Sequence, residues 1–354
     1  MKQFIGCDSH KKYSVFVAMN EFGQVGEAIH VGHDREQFRE FLQELPAGSP
    51  IAVEASGHYY WIVDEMEAAG HRPQLTNPLR AKQMMGDRKK TDKVDARALA
   101  LLLRNGTLPT VWIPPAELRD QRALLRSRMF MVNERTRLKN RIHGAFGRYN
   151  VTILAQDLFS VEGRLEAQEQ LPRLPTYTRY SVEREMATVD FLEQQVKQIE
   201  KQLQGLMSTN VESDLLKTLP CVGPILGMLM ALEIGKVERF AGPGHLASYC
   251  GLVPRVISSG GRTRMGHICQ DVNHYLRWAF VEAGNLVVMH QKRLTGSHVV
   301  RLYRKVQRKH CYQKAVVAVG RHLAEAAYWV LKKQQVYREP QRKAVEHDLS
   351  STHG

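Results

Sequence analysis

The chain has 354 residues, of which 43% are hydrophobic and 24% charged, and it carries a formal net charge of +14. This length exceeds that of a usual single core, so two or more domains are expected. The composition is typical of a globular protein, no apolar run is long enough to span a bilayer, and the excess of Lys and Arg favours a polyanionic partner such as nucleic acid.

The first 76 residues have the pattern of an α/β unit with a mixed sheet. Short apolar or alternating stretches predict strands, and an amphipathic stretch that Asp34 can cap predicts the first helix. The predicted elements are, in order, strands at Phe4–Asp8, Tyr13–Met19 and Val25–His30, a helix to about Leu45, a strand in IAVEA, a helix at Tyr59–Ala69 and a strand in RPQLTNP.

The stretch KTDKVDARAL, residues 90–99, begins the next predicted helix, which runs from Asp92 to about Arg104. Asp92 and Asp95 lie one turn apart on it, where like charges repel unless a cation lies between them. A solvated first helix turn, in which acidic residues are favoured, is the simpler alternative. The basic residues Arg88, Lys89 and Lys90 precede this helix and are candidates for phosphate contacts.

A long basic helix is predicted from Ala116 to about Phe146. It carries a narrow apolar stripe and many Lys and Arg side chains, among them Arg122, Arg126 and Arg137. It could bind nucleic acid along its basic face, or it could be a packed helix with a solvated basic face. The charge of the whole chain favours the first interpretation.

Residues 182–207 show the clearest helical periodicity. Leu192, Val196, Ile199, Leu203 and Leu206 repeat at 4-3-4-3 spacing, which is typical of a coiled-coil seam. The seam could pair with another protomer, which the position between two domains favours, or with a helix of the same chain.

From about Leu215 the chain is predicted to form a mainly helical domain. Its first stretch, residues 215–235, resembles a helix-hairpin-helix that could hold a DNA phosphate, although Cys221 stands where such turns usually have Gly. A plain buried helical hairpin is the alternative.

Four carboxylates stand at positions where an α/β sheet would bring them together. Asp8 closes the first strand and Glu54 ends the strand IAVEA, while Asp92 and Asp95 begin a later helix. Converging carboxylates repel one another unless divalent cations neutralise them, and such cations are used in phosphoryl transfer. Each acid taken alone has a structural alternative: a turn residue, a surface group or a helix cap.

The stretch GLVPRVISSGGRTRMGHI, residues 251–268, combines two serines, two glycines and the arginines Arg255, Arg262 and Arg264. Glycines allow close backbone approach, arginines bind phosphate, and a serine hydroxyl could attack a phosphodiester. A glycine turn with solvated arginines is the alternative.

The order of Asp8, Glu54, KTDKVDAR and GLVPRVISSGG resembles the DEDD-type transposases of insertion sequences, the IS110 family, which includes the pilin-gene invertase and the RNA-guided bridge recombinases. The resemblance implies an RNase H-like (resolvase-like) α/β N-terminal domain, a helical coiled-coil connector and a mainly α C-terminal transposase domain. It implies that Asp8, Glu54, Asp92 and Asp95 bind Mg²⁺ or Mn²⁺ as catalytic acids, and that Ser259 is the nucleophile, with Ser258 as its neighbour. The stretch RMGHICQDVNHYLR departs from the family pattern between Gln270 and Asn273.

The resemblance also implies the partners: element-end and target DNA, a structured guide RNA and further copies of the chain in a dimer or tetramer. Domain ranges of 1–158, 159–208 and 209–336 follow, with a polar tail at 337–354 that is expected to be disordered. Five scattered cysteines without CxxC spacing predict a reduced, cytoplasmic protein without a structural zinc site. The resemblance implies that this protein is nucleoid-associated.

Three other functions are compatible with parts of the pattern. A metal-dependent junction resolvase or nuclease would use water instead of Ser259 as the nucleophile. A sugar-kinase-like phosphotransferase would need a second glycine-rich phosphate loop, which the sequence lacks. An architectural nucleic-acid binder would tolerate loss of Asp92 and Asp95.

Overall fold

The computed structural model describes residues 2–85, 91–269 and 271–340. The chain divides into two compact units, residues 1–119 and 120–354. A mixed α/β sheet lies in the first unit and the second is largely helical, as the sequence predicted. Of the polar tail predicted at 337–354, residues 341–354 lie outside the described part of the chain.

A five-stranded sheet forms the centre of the first unit, with the strand order β3-β2-β1-β4-β5. The first three strands are antiparallel neighbours, and β4 and β5 run parallel to β1. The strands are β1 Gln3–Ser9, β2 Tyr13–Asn20, β3 Val25–Gly32, β4 Pro50–Glu54 and β5 Arg72–Thr76. The helices of this unit are α1 Arg35–Glu44, α2 Tyr59–Ala68, α3 Pro78–Met85 and α4 Asp92–Arg104.

Alternation along the strands gives the sheet two different faces. On one face Ile5, Cys7, Ile51 and Val53 pack in a core with side chains of α1 and α2, including Phe38 and Ile62. On the other face Val15, Val17 and Ala52 pack against α4 through Ala96, Leu99 and Leu103. The predicted cap is present, because Asp34 accepts hydrogen bonds from the backbone N–H groups of Glu36 and Gln37.

The second unit contains long helices and one short hairpin, and α5 begins in the last residues of the first unit. The helices are α5 Ala116–Arg148, α6 Val161–Gln170, α7 Thr176–Met207, α8 Val211–Leu216, α9 Pro224–Ile234, α10 Pro243–Tyr249, α11 His274–Met289, α12 His298–Gln307 and α13 Tyr312–Lys333. Strands β6 Pro254–Ser259 and β7 Arg262–Ile268 form the hairpin.

Helices α5 and α7 pack against each other within the chain. Val182 and Val189 of α7 share a core with Ile142 and Phe146 of α5. Among the described residues, four ion pairs join the two helices, namely Arg128–Glu200, Arg135–Glu193, Lys139–Glu193 and Arg141–Glu185. The periodic stretch of α7 therefore has a partner helix in its own chain, which is the arrangement that the sequence favoured less.

The stretch at 215–235 belongs to a helical hairpin that begins at residue 211 and consists of α8, a turn and α9. Cys221 in the turn has φ +60°, a left-handed conformation that glycine adopts more readily. It therefore takes the backbone conformation that the usual glycine would take. Gly227 of α9 lies against Ser213 of α8, where an added Cβ would stand 3.1 Å from the Ser213 carbonyl oxygen.

Among the residues that the structure describes, none of the helices is both long enough and apolar enough to cross a membrane. All five cysteines are free thiols.

Candidate active site

Two of the predicted acids lie side by side at one edge of the first unit's sheet. Asp8 is the second-last residue of β1, and Glu54 is the last residue of β4. The two strands are parallel neighbours in which Cys7 pairs with Val53, so both carboxylates leave the sheet at the same end. Both also point to the face that α4 covers, because they alternate with Cys7 and Val53 on the opposite face.

Helix α4 brings the other two acids to this place. Thr91 caps it by accepting a hydrogen bond from the Val94 N–H, and Asp92 and Asp95 lie in its first turn. Gly6 of β1 sets how closely the helix approaches, since a Cβ at that position would stand 1.9 Å from the Ala96 carbonyl oxygen. The missing side chain allows the helix backbone to lie directly against β1, two residues before Asp8.

The negative charges of the other three acids raise the pKa of Asp8. Its side chain is 9% exposed, and burial together with the negative charges of Glu54, Asp95 and Asp92 raises its pKa from the ordinary 3.8 to about 6. His10 acts in the opposite direction. The structure therefore brings together all four acids that the sequence singled out, with Asp8 as the most buried member.

Two residues that sequence reasoning missed complete the cluster. The Nε2 atom of His10 lies 3.3 Å from an oxygen of Asp8 and 3.2 Å from an oxygen of Asp92. The hydroxyl of Tyr13 donates a hydrogen bond of 2.9 Å to Asp92, and its ring lies 4.8 Å from the imidazole ring. The only sequence signal for them is their position shortly after Asp8, where His10 lies in the turn and Tyr13 begins β2.

The donor set of this cluster suits a divalent cation. One ligand atom from each of Asp8, His10 and Asp92 can be chosen so that all three lie within 4.8 Å of one another. Carboxylate oxygens are the ligands that Mg²⁺ and Mn²⁺ prefer, and a cation removes the repulsion that raises the pKa of Asp8. The residues present therefore fit a divalent cation.

The predicted serine belongs to the β6–β7 hairpin of the second unit. Ser259 is the last residue of β6 and pairs with Arg262, and Gly260 and Gly261 form the turn with φ +56° and +75°. Two successive positive φ values are typical of a tight hairpin turn and explain the pair of glycines. The side chains of Ser259 and Arg262 lie outside the described part of the structure, whereas Ser258 is exposed.

The other predicted arginines occupy different environments. Arg255 and Arg264 are exposed on the hairpin, and Arg255 donates a hydrogen bond of 3.1 Å to the Cys269 sulfur. On α5, Arg137 is exposed and paired with Glu134. Arg88, Lys89 and Lys90 lie outside the described residues.

Arg122 and Arg126 of α5 are engaged inside the second unit. Arg122 is buried and donates hydrogen bonds of 2.8 and 3.0 Å to the carbonyl oxygens of Leu232 and Glu233 at the end of α9. Arg126 donates two hydrogen bonds, 2.7 and 2.9 Å long, to the Glu233 carboxylate. These bonds compete with the phosphate contacts predicted for both arginines.

Glu233 is a second feature that the sequence did not reveal. Its side chain is 1% exposed and also accepts a hydrogen bond of 2.8 Å from Asn273, the residue that caps α11. Asn273 follows closely after β7, within the stretch that departs from the family pattern. Through Asn273, Glu233 therefore connects the segment between the serine hairpin and α11 to α9 and to Arg126.

Comparison with known proteins places two family models on the chain. A model described as "Transposase", of the DEDD type of IS110, matches residues 5–151, and the model "Transposase IS116/IS110/IS902 family" matches residues 213–298. The first match contains all four acids, and the second contains Ser259.

Full-length relatives agree with the family models. A Pseudomonas aeruginosa protein named "Probable family 20 transposase" is 26% identical over 86% of this chain and 90% of its own length. The transposase for insertion sequence element IS1111A of Coxiella burnetii is 24% identical over 95% of this chain and 91% of its own. The transposase for insertion sequence element IS1328 of Yersinia enterocolitica is 23% identical, with 85% and 88% covered.

Proposed function

Because the chain belongs to the IS110/IS116 family of insertion-sequence transposases, we propose that it is a site-specific recombinase that joins element ends to target DNA through a covalent serine intermediate. The observation that carries the proposal is the convergence of Glu54, Asp92 and Asp95 on the buried carboxylate of Asp8. A structural role alone does not account for this arrangement, because four acids placed together cost free energy unless a ligand neutralises them.

Asp8, Glu54, Asp92 and Asp95 would hold the divalent cation, Mg²⁺ or Mn²⁺. When bound, such an ion neutralises negative charge and polarises a phosphate oxygen. The protein's own contribution is position: two strand ends fix Asp8 and Glu54, and the capped first turn of α4 fixes Asp92 and Asp95. The carboxylates and the phosphate backbone are both negative and repel each other, so a bound cation is required for DNA to enter this site.

Ser259 is the nucleophile in this proposal, with Ser258 as its neighbour on the strand. A bond forms between the serine Oγ and phosphorus, while the bond from phosphorus to one deoxyribose oxygen breaks. The released deoxyribose hydroxyl gains a proton, and the serine loses one. Attack by a deoxyribose hydroxyl of another strand reverses the step and reseals the DNA without ATP, because the number of phosphoester bonds is conserved.

The position of Ser259 next to Gly260 and Gly261 supports this role. The serine lies at the end of a two-stranded hairpin whose turn carries no side chains, so a DNA backbone can approach closely. The exposed Arg255 and Arg264 on the same hairpin can bind flanking phosphates.

The proposed domains are an RNase H-like (resolvase-like) domain at 1–158, a coiled-coil connector at 159–208 and a transposase domain at 209–336. The mixed sheet crossed by α4 supports the first assignment. The paired helices α5 and α7 support a helical connector. The dimer or tetramer rests on the family resemblance. A guide RNA would select the DNA sequences by base pairing. Arg137 is a candidate contact to it, as are Arg88, Lys89 and Lys90, which lie outside the described residues.

A metal-dependent resolvase-like nuclease is the second candidate. Residues 1–119 alone contain all four acids, so this unit could direct a water molecule at a phosphodiester without the serine hairpin. This function requires no covalent bond between protein and DNA.

A denaturing gel distinguishes the two candidates. The purified chain is incubated with the element's joined-end DNA, Mg²⁺ and RNA transcribed from the element's flanks, and labelled DNA that stays attached to protein is measured. We expect an adduct in the wild type that is lost in Ser259→Ala and in Asp95→Asn. Ser258→Ala is the matched control and should keep the adduct. Metal-dependent cutting that survives Ser259→Ala without any adduct would replace the recombinase by the nuclease.

A further inference from the structure

His10 occupies an unusual place beside the four acids. Its ring is 37% exposed, yet its Nε2 atom is buried and has no hydrogen-bond partner among the described residues. This atom nevertheless lies 3.3 Å from a carboxylate oxygen of Asp8 and 3.2 Å from one of Asp92. The nitrogen thus faces two acceptor oxygens at angles that do not make hydrogen bonds.

These separations are those of atoms that share one metal ion. Two ligands about 2.1 Å from an octahedral ion lie about 3.0 Å apart when they are adjacent. A nitrogen that is close to two carboxylate oxygens, without being hydrogen bonded to either, is placed as a third ligand would be. The sequence Asp-Ser-His supplies this nitrogen from the same strand end that supplies Asp8.

Neighbouring residues hold the imidazole and one of the acids in position. The Tyr13 ring packs against the His10 ring at 4.8 Å, and the Tyr13 hydroxyl donates a hydrogen bond to the same Asp92 oxygen that His10 faces. Hydrogen bonds to the ligands of a metal orient them and strengthen binding. Tyr13 is therefore a positioning residue for this part of the site.

We propose that His10 Nε2 is a nitrogen ligand of the divalent cation held by Asp8 and Asp92, and that it makes the site select Mn²⁺ over Mg²⁺. This inference rests on the proposed metal-dependent function. Mg²⁺ strongly prefers oxygen ligands, whereas imidazole is a good ligand for transition metals. An all-carboxylate site would discriminate less between the two ions, because both accept oxygen ligands.

Binding of the metal alone tests the proposal without DNA or activity. The full-length protein is freed of metal and titrated with Mn²⁺ and, separately, with Mg²⁺, by calorimetry. Pulsed electron paramagnetic resonance of the bound Mn²⁺ then shows whether a nitrogen nucleus is coupled to it. We expect nitrogen coupling in the wild type, and Mn²⁺ affinity at least about tenfold above that for Mg²⁺.

His10→Asn should abolish the nitrogen coupling and weaken Mn²⁺ binding by about tenfold or more, with little effect on Mg²⁺. His310→Asn, which changes an exposed histidine outside the first unit, is the matched control and should change neither quantity.

Two results would overturn the proposal, and they differ in what else they affect. Tight Mn²⁺ binding without nitrogen coupling would remove His10 as a ligand but leave the carboxylate site and the recombinase intact. Failure of the wild type to bind either metal would contradict both the His10 ligand and the metal-dependent function.

Discussion

Replacing Asp8 by Asn should stabilise the metal-free first unit. The raised pKa of Asp8, from 3.8 to about 6, means that the folded state binds a proton more tightly than the unfolded state does. The contribution of Asp8 to the free energy of unfolding therefore falls as pH rises from about 4 to about 6 and stays low above that range. The difference of about two pKa units corresponds to about 3 kcal/mol, and Asn keeps the shape of the side chain without the charge.

Hydrogen exchange of peptides from β1 and β4 measures this effect, because it reports the opening of the first unit alone. In EDTA at pH 8, exchange in Asp8→Asn should be slower than in the wild type by up to about a hundredfold. The two proteins should converge near pH 4, and saturating Mg²⁺ should slow exchange in the wild type only. Glu67→Gln, a change of an exposed carboxyl on α2, is the control. Equal or faster exchange in Asp8→Asn at pH 8 would refute the reasoning that the four acids repel one another.

Three further substitutions test other contacts. Gly6→Ala should displace α4 from β1, because the added Cβ would stand 1.9 Å from the Ala96 carbonyl oxygen. We expect it to abolish adduct formation and to lower the free energy of unfolding by about 1–3 kcal/mol or more. The control, Gly26→Ala, whose Cβ would make an ordinary contact at 3.5 Å, should be nearly neutral in thermal unfolding. Glu233→Ala leaves Arg126 and the buried Arg122 without their carboxylate and should destabilise the second unit by about 3–5 kcal/mol in urea unfolding. Tyr13→Phe should weaken metal binding by about tenfold in calorimetry while it changes stability by about 1 kcal/mol or less, since it removes one hydrogen bond to an acid.

The acid cluster could be predicted because strand ends and helix starts are local properties of the sequence. Asp8 and Glu54 each end a short apolar stretch, and Thr91 with Asp92 and Asp95 gives the usual signals of a helix start. Because side chains along a strand alternate between the two faces of the sheet, Asp8 and Glu54 are then assigned to the same face.

Contacts that depend on three-dimensional packing were not predictable in the same way. His10 lies in a turn with no periodicity, and its role becomes visible only when α4 brings Asp92 beside it. Glu233 stands at the end of an almost wholly apolar helix, where the sequence alone gives no reason to expect a buried carboxylate paired with Arg126. The excess charge of α5 likewise gives no information on how many of its cations pair with acids of α7.

The covalent step is tested most directly by identifying the residue that carries DNA. After the adduct is trapped and the DNA digested to a residual nucleotide, trypsin releases residues 256–262, VISSGGR, as one peptide, because Arg255 and Arg262 flank it. Fragmentation in a mass spectrometer then separates the two serines. We expect a nucleotide phosphate on Ser259, in the wild type and in Ser258→Ala, and none in Asp95→Asn. A nucleotide on another residue, or cut DNA without any modified peptide, would contradict it.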